Sequence, residues 1–314
     1  MNIALDMMGG DFAPLEAVKG LQLYLSADSG AATIFCIGNE TQLQQLLQEH
    51  NIANDYIKVI HAPEVIGYHE SPTKALKEKP NSSISIGFHL LASGKVDAFI
   101  SAGNTGAMLV GTMYTIKAIE GVLRPTISTV VPQLSGKTGL LLDVGMNLDC
   151  KPEQLNQFAI LGSLYSQHVL NVENPRVGLL NVGEEEGKGN ALLQSTYPLL
   201  KENSKINFIG NVEGRDIFND KVDVTVCDGY TGNVILKLAE TVYDIAVHRN
   251  VGNDEYFHRF HYENYGGTPV LGVAKPVIIG HGISNDKAFM NMIVTATKMI
   301  ESDLCNKIKE SFTA

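Results

Sequence analysis

Asp97-Ala98-Phe99-Ile100-Ser101-Ala102-Gly103-Asn104-Thr105-Gly106-Ala107 is the stretch that decides the fold. Its first five residues form a short apolar run that reads as a buried strand. The run stops at a turn of small residues, Ser101 to Gly106, and a helical pattern from Ala107 to Ile119 follows. This order of strand, glycine-bearing loop and helix recurs almost to the end of the chain. Strands are expected at Ile3–Asp6, Thr33–Ile37, Ile57–Ile60, Ile127–Val131 and Leu140–Val144. Further ones are expected at Val177–Val182, Ile206–Ile209, Val222–Cys227 and Val277–Ile279. Helical stretches include Thr41–Gln48, Pro152–Val169 and Ala191–Lys201. Such alternation predicts a mostly parallel sheet with helices on both faces, a three-layer α/β/α architecture.

Helix signals agree with this. Lys151-Pro152-Glu153 places a proline in a first turn, where its missing N–H is harmless, and an acid at the positive helix end. From Asn233 to Val247, Val234, Leu238, Val242 and Ile245 share one stripe of an amphipathic helix. The segment Arg249–Gly267 is polar, aromatic and bounded by glycine, and reads as a surface excursion. The 314 residues suit one α/β catalytic domain spanning 1–314, or two lobes around a cleft.

Composition narrows the function. With 44% hydrophobic and 18% charged residues the chain is globular, and a net charge of −10 argues against nucleic-acid binding. Met1 runs straight into a strand-like segment with no basic and apolar leader, and no apolar stretch approaches the ~18 residues of a spanning helix. Cys36, Cys150, Cys227 and Cys305 are scattered, which fits reduced thiols in a cytoplasmic protein rather than a zinc or dithiol motif.

In open α/β sheets ligands bind beyond the carboxyl ends of the strands. Those ends here carry Gly9-Gly10-Asp11, Ser101 to Gly106, Asp143-Val144-Gly145-Met146-Asn147, Asn181-Val182-Gly183, Gly210-Asn211, Asp228 to Asn233 and Gly280-His281-Gly282. Glycine lets backbone N–H groups converge on an anion, and a following helix adds its positive end. Each loop alone is a tight turn; several on one edge point to an anion site. The common nucleotide motifs fail. Gly136-Lys137-Thr138 ends like a phosphate loop but precedes a strand, no GxGxxG follows the first strand, and no GxSxG nucleophile elbow exists. His281 and Asp286 match a five-residue acyltransferase spacing that two residue types alone do not support.

Lys188, flanked by Gly187 and Gly189, has backbone room to approach a ligand and a charge to neutralise phosphate; it reads equally as a solvated lysine beside Glu184, Glu185 and Glu186. Asn233, at a predicted helix start, is either an N-cap or an amide that polarises a carbonyl.

Taken in order, these loops resemble the acyl-carrier-protein:phosphate acyltransferases of bacterial phospholipid synthesis. The resemblance runs nearly end to end, through Asp6-Met7-Met8-Gly9-Gly10-Asp11, Ser101 to Ala107, Leu142 to Gly145, Gly178 to Gly183, Gly210 to Asp216, Cys227 to Asn233 and Ile279 to Gly282. It implies a Rossmann-like fold related to phosphotransacetylases and to isocitrate and isopropylmalate dehydrogenases. It also implies a homodimer and attack of inorganic phosphate on a long-chain acyl-acyl-carrier-protein thioester, releasing acyl phosphate for a downstream membrane acyltransferase. No cofactor and no metal are implied. Phosphate is already a nucleophile at neutral pH, so the protein needs only to hold it in line and stabilise the carbonyl oxygen. By this likeness Gly103, Asn104, Thr105 and Gly106 cradle phosphate, and Lys188 and Asn233 are catalytic. Asp228, Asn211 and His281 stand second, and Asp143 and Asn147 serve the site or tie a strand end to the next loop.

The chain departs from the family in two places. Phe12 follows Gly-Gly-Asp where relatives carry histidine, and the link from His248 to His261 is shorter than the relatives' helical hairpin. Weak peripheral membrane attachment, which the resemblance adds to a cytoplasmic location, thus lacks an evident amphipathic helix. His258-Arg259-Phe260-His261 reads as an exposed polar turn. Two other functions stay open: a phosphotransacetylase-type enzyme using a short-chain acyl-CoA, and a non-catalytic organiser of phospholipid synthesis.

Overall fold

The computed structural model describes residues 1–27, 32–53, 55–252 and 254–313. The chain forms two compact units, Met1–Ala118 with Glu263–Cys305, and Ile119–Tyr262 with Asn306–Ala314.

The strands of the first unit are β1 (Asn2–Asp6), β2 (Thr33–Gly38), β3 (Ile57–His61), β4 (Ala98–Ser101), and, after the second unit's segment, β10 (Gly267–Leu271) and β11 (Val277–Gly280). They lie in the order β3-β2-β1-β4-β11-β10. All neighbours are parallel except β10, which pairs antiparallel with β11. The helices are α1 (Leu15–Ser26), α2 (Glu40–Glu49), α3 (Pro72–Glu78), α4 (Ser83–Ala92), α5 (Thr105–Gly111) and, near the chain's end, α10 (Asp286–Glu301). Ile3, Leu5, Phe99 and Ile100 are wholly buried, as the continuous apolar strands require of a sheet covered on both faces. β10 lies outside the predicted strands because Pro269 interrupts its pattern; that proline sits opposite Ile278 in an antiparallel pair.

The second unit contains β5 (Thr126–Pro132), β6 (Thr138–Leu142), β7 (Arg176–Leu180), β8 (Asn207–Val212) and β9 (Val224–Val226), in the order β5-β6-β9-β7-β8. β5 and β6 form an antiparallel pair, and β6, β9, β7 and β8 run parallel. Its helices are α6 (Pro152–His168), α7 (Ala191–Lys201), α8 (Gly229–His248), the short α9 (Glu255–His258) and most of α11 (Leu304–Thr313). Pro152 stands in the first turn of α6 as expected.

Two helices differ from their sequence reading. The helix expected over 107–119 is α-helical only to Gly111 and continues as a π turn, Thr112–Ile116, closed by Lys117 N–H donating to Thr112 O at 2.9 Å. Thr112 Oγ1 donates to Met108 O at 2.7 Å, a bond that perturbs the helical ladder. The helix expected from Asn233 begins instead at Gly229, capped by Asp228. Its apolar stripe is real but faces outward: Val234 is 54%, Leu238 67% and Ile245 59% exposed. The buried face consists of Gly229, Gly232, Ala239 and Ala246, because the backbone of α8 lies against the strand ends. A Cβ on Gly232 would stand 1.8 Å from Asp143 O.

In the segment 249–267, Asn253 lies outside the described residues. Around it Phe260 is buried against Phe218, ring centroids 5.5 Å apart, and Arg259 donates to Gln133 O at 3.1 Å. His258 and His261 flank the Tyr243 ring at 6.0 and 4.5 Å.

Candidate active site

The parallel strands β6, β9, β7 and β8 bring the second unit's candidate residues to one carboxyl edge. Val226 pairs with both Leu142 and Leu179, so the residues that follow these strands are neighbours. Asp143 ends the first of them and is wholly buried. Its Oδ2 accepts from Asn147 N and Asn147 Nδ2, both at 2.7 Å, and its Oδ1 accepts from Met146 N at 3.1 Å. Asn147 Nδ2 also donates to Pro125 O at 2.8 Å. Both side chains therefore tie the strand end to the loop. Burial raises the Asp143 carboxyl above its ordinary range against the pull of these bonds.

After β9, Asp228 accepts from Thr231 N at 2.9 Å and Thr231 Oγ1 at 2.8 Å, which makes it the helix cap. Asn233 consequently lies in the second turn and is not a cap. The residue is exposed, and its Nδ2 donates to Val144 O at 3.1 Å in a part-buried bond. A carboxamide has two N–H donors, so one such bond leaves capacity to bind a ligand oxygen.

After β7 the chain turns through Glu184, Glu185 and Glu186 to Lys188. Asn181 Nδ2 donates to Lys188 O at 3.1 Å and Asn211 Nδ2 to Glu185 O at 2.8 Å, so two buried asparagines hold this turn from below. Asn211 Oδ1 is buried without a hydrogen-bond partner among the described residues. The acids beside Lys188 are mostly engaged elsewhere: Glu184 with Lys221 at 2.6 Å and Glu186 with Lys201 at 2.9 Å. Among the described residues Lys188 Nζ has a 3.9 Å contact to Glu185, with half its side chain exposed. Its charge is thus offered outward.

In the first unit, β1, β4 and β11 end side by side, which gathers Gly9-Gly10, Gly103 to Gly106 and His281-Gly282. Asp11 N donates to Gly282 O at 2.7 Å, joining two of these loops. Asn104 caps α5, accepting from Ala107 N at 2.9 Å, and its Nδ2 faces Gly67 O at 2.9 Å with Tyr68 O and Glu70 O at 3.3 Å. Its side chain is fully spent on shaping the loop. Gly103 N donates to Ser101 Oγ at 3.0 Å. Helix geometry leaves the first-turn amides of Thr105 and Gly106 without intrahelical acceptors. His281 is half-buried, and its carbonyl accepts from Ser284 N at 3.0 Å. Asp286 opens α10 with its N–H donating to Glu16 Oε2 at 3.0 Å.

Asp6 and Tyr68 escaped the sequence reading as site members, and Ser101 was read only as the opening of an anion-site loop. With Met8, Gly10, Gly67 and Ser83, Asp6 and Tyr68 line a cavity of about 130 Å³ beside Gly103. Asp6 accepts from Ser101 Oγ at 2.7 Å, and burial lifts its carboxyl above the ordinary range despite that bond. Tyr68 donates to Ala102 O at 3.1 Å, and its hydroxyl is pushed up to about 12, by burial first and then by Asp11. An acid ending a strand four residues before a loop glycine was the available signal; it reads as an ordinary strand terminus until β4 is placed beside β1. The cysteines are poor nucleophiles, since burial pushes Cys36, Cys150 and Cys305 up to about 12 and Cys227 higher than its usual range.

The model of the family described as fatty acid synthesis protein matches residues 1–307. The phosphate acyltransferase of Dictyoglomus turgidum is 43% identical over 328 residues, covering 99% of this chain and 97% of its own length. That of Halothermothrix orenii is 44% identical over 329 residues, covering 99% and 98%. Among solved structures, a phosphotransacetylase from Streptococcus pyogenes superposes with a TM-score of 0.67 at 15% identity, over 96% of this chain and 94% of that one. That likeness confirms the expected mostly parallel α/β fold. No helix among the described residues is long and apolar enough to cross a membrane. With a family model matching nearly its whole length and relatives above 40% identity, the chain belongs to the fatty acid synthesis protein family.

Proposed function

We propose that this protein is a phosphate acyltransferase that moves a fatty acyl group from an acyl-carrier-protein thioester to inorganic phosphate. The end-to-end identity with proteins named phosphate acyltransferase carries the reading. The site chemistry supports it. Thr105 and Gly106 offer first-turn amides to a phosphate dianion on a loop held by Asn104. Lys188 supplies positive charge, and Asn233 supplies an amide donor for the carbonyl oxygen as it becomes an oxyanion. A phosphate oxygen forms the new C–O bond, the C–S bond breaks, and the carrier leaves as a thiolate that takes up the proton hydrogen phosphate gives up on becoming the acyl phosphate dianion. No protein nucleophile is required, which suits four cysteines held as thiols.

The exposed stripe of α8 favours a homodimer, since Val234, Leu238 and Ile245 are large apolar side chains each more than half exposed. A cytoplasmic location follows the same reading, with the carrier, phosphate and an acyltransferase that consumes the product as partners beside the second copy.

The testing experiment incubates protein, long-chain acyl carrier and phosphate with hydroxylamine. Phosphate-dependent acyl hydroxamate is expected; thioester loss independent of phosphate would make the protein a thioesterase and end the reading.

A further inference from the structure

In the first unit α3, α4 and the α5–π segment enclose a groove of about 480 Å³. Its wall is built from Leu76, Phe88, Ala92, Val110, Gly111 and Tyr114. The volume falls within the range of small-molecule sites, which are predominantly apolar with few polar groups. Gly111 sets the floor: a Cβ there would lie 2.1 Å from the Phe88 ring, so α4 and α5 touch through a rigid aromatic face. The π turn displaces Tyr114 outward, where it stands 76% exposed at the rim. π turns inside helices often mark ligand sites.

The groove's place matters more than its size. Thr73, at one end, follows Pro72, and a Cβ on Gly106 would meet Pro72 Cγ at 2.4 Å. The groove therefore starts against the Gly103–Gly106 loop and continues down the flank of α5. Among its polar members, Ser85 Oγ is engaged, donating to Lys79 O at 2.9 Å and accepting from Ser82 Oγ at 2.9 Å. Lys77 and His89 are exposed residues whose stems add apolar surface while their polar ends reach water. The other polar members, Thr73, Tyr114 and Thr115, are exposed too, so the covered part of the wall offers few of the hydrogen-bond partners that an amide-bearing arm such as pantetheine needs. A hydrocarbon chain needs none.

We propose that this groove binds the acyl chain of the thioester donor and sets chain-length preference. The inference rests on the acyl-transfer reading, and names the part of the substrate that one surface receives. Each methylene drawn from water into the groove then raises kcat/KM by roughly threefold to fourfold until the groove is filled.

The test compares palmitoyl and butyryl donors in Ala92→Trp, which fills the groove from an exposed helix position, and in Val110→Thr, which keeps the shape but adds a hydroxyl. The palmitoyl-to-butyryl ratio of kcat/KM should fall at least tenfold in the first and severalfold in the second. Binding of a fluorescent long-chain fatty acid should weaken in the same order, a readout that needs no turnover. An unchanged ratio in Val110→Thr and in folded Ala92→Trp would overturn the proposal. So would equal losses on both donors, which would place the carrier's arm in the groove instead. Wild-type protein with no phosphate-dependent turnover on any donor would refute acyl transfer. Fatty-acid binding would then decide the groove by itself: weaker in Ala92→Trp, it stands; unchanged, it fails.

Discussion

The loop that leads into α5 and the first turns of α8 carry the same residue types and put them to opposite uses. In Gly103-Asn104-Thr105-Gly106 the asparagine is 5% exposed, caps its helix and faces three carbonyls. In Thr231-Gly232-Asn233 the asparagine is exposed, a turn beyond the cap, with one amide bond to Val144 O. Asp228 performs the capping there. The loop before α5 is fixed by its asparagine; the start of α8 presents its asparagine. A rigid anion cradle needs the first arrangement, and a donor aimed at a developing charge needs the second.

That contrast breaks most readily at the exposed groups. Lys188→Ala and Asn233→Ala should each lower kcat by roughly 10²–10³-fold with an unchanged melting temperature. Steady-state kinetics beside thermal melting checks this, and near-normal rates in either variant would remove that residue from the mechanism. Next in size is the contact that seats α8. Gly232→Ala forces a methyl into Asp143 O and should destabilise the protein by about 3 kcal/mol, read from urea denaturation. A loss below about 1 kcal/mol would mean the helix shifts freely.

The two caps sharpen the comparison further. Asn104→Ala removes a cap and the amide facing three carbonyls, for about 2 kcal/mol. Asp228→Ala removes a cap alone, for about 1 kcal/mol. Equal costs in chemical denaturation would contradict the view that only the first asparagine locks its loop. The smallest effect is electrostatic. Just before β9, burial opposes ionisation of Asp223, but the paired hydrogen bonds from Arg176, the first residue of β7, at 2.9 and 3.0 Å outweigh it and hold the carboxyl below its ordinary value. Such a group stabilises above its unfolded value, near 3.8, and the contribution is lost as pH falls through the lower folded value. The melting temperature should therefore drop less steeply in acid for Asp223→Asn than for the parent, and a matching slope would deny the ion pair its role.

Sequence periodicity located most strands because buried parallel strands are continuous apolar runs, and it located the glycine loops because they interrupt those runs. It misplaced the start of α8, and its apolar stripe did not tell which face of that helix is buried. Gly229 and Gly232 look like helix breakers, whereas in the structure they let the helix backbone reach Asp143 and Asn147. Once small residues form the buried face, the large apolar ones are left outside. Pairing of Asp6 with Ser101 was illegible for another reason. They are 95 positions apart and meet only when β1 and β4 become neighbours.

The most direct measurement is the ³¹P spectrum of inorganic phosphate mixed with the protein and a long-chain acyl carrier. An acyl phosphate resonance growing in step with free carrier thiol, and absent with Lys188→Ala, is the predicted result. Thiol release with the phosphate signal unchanged would contradict the account.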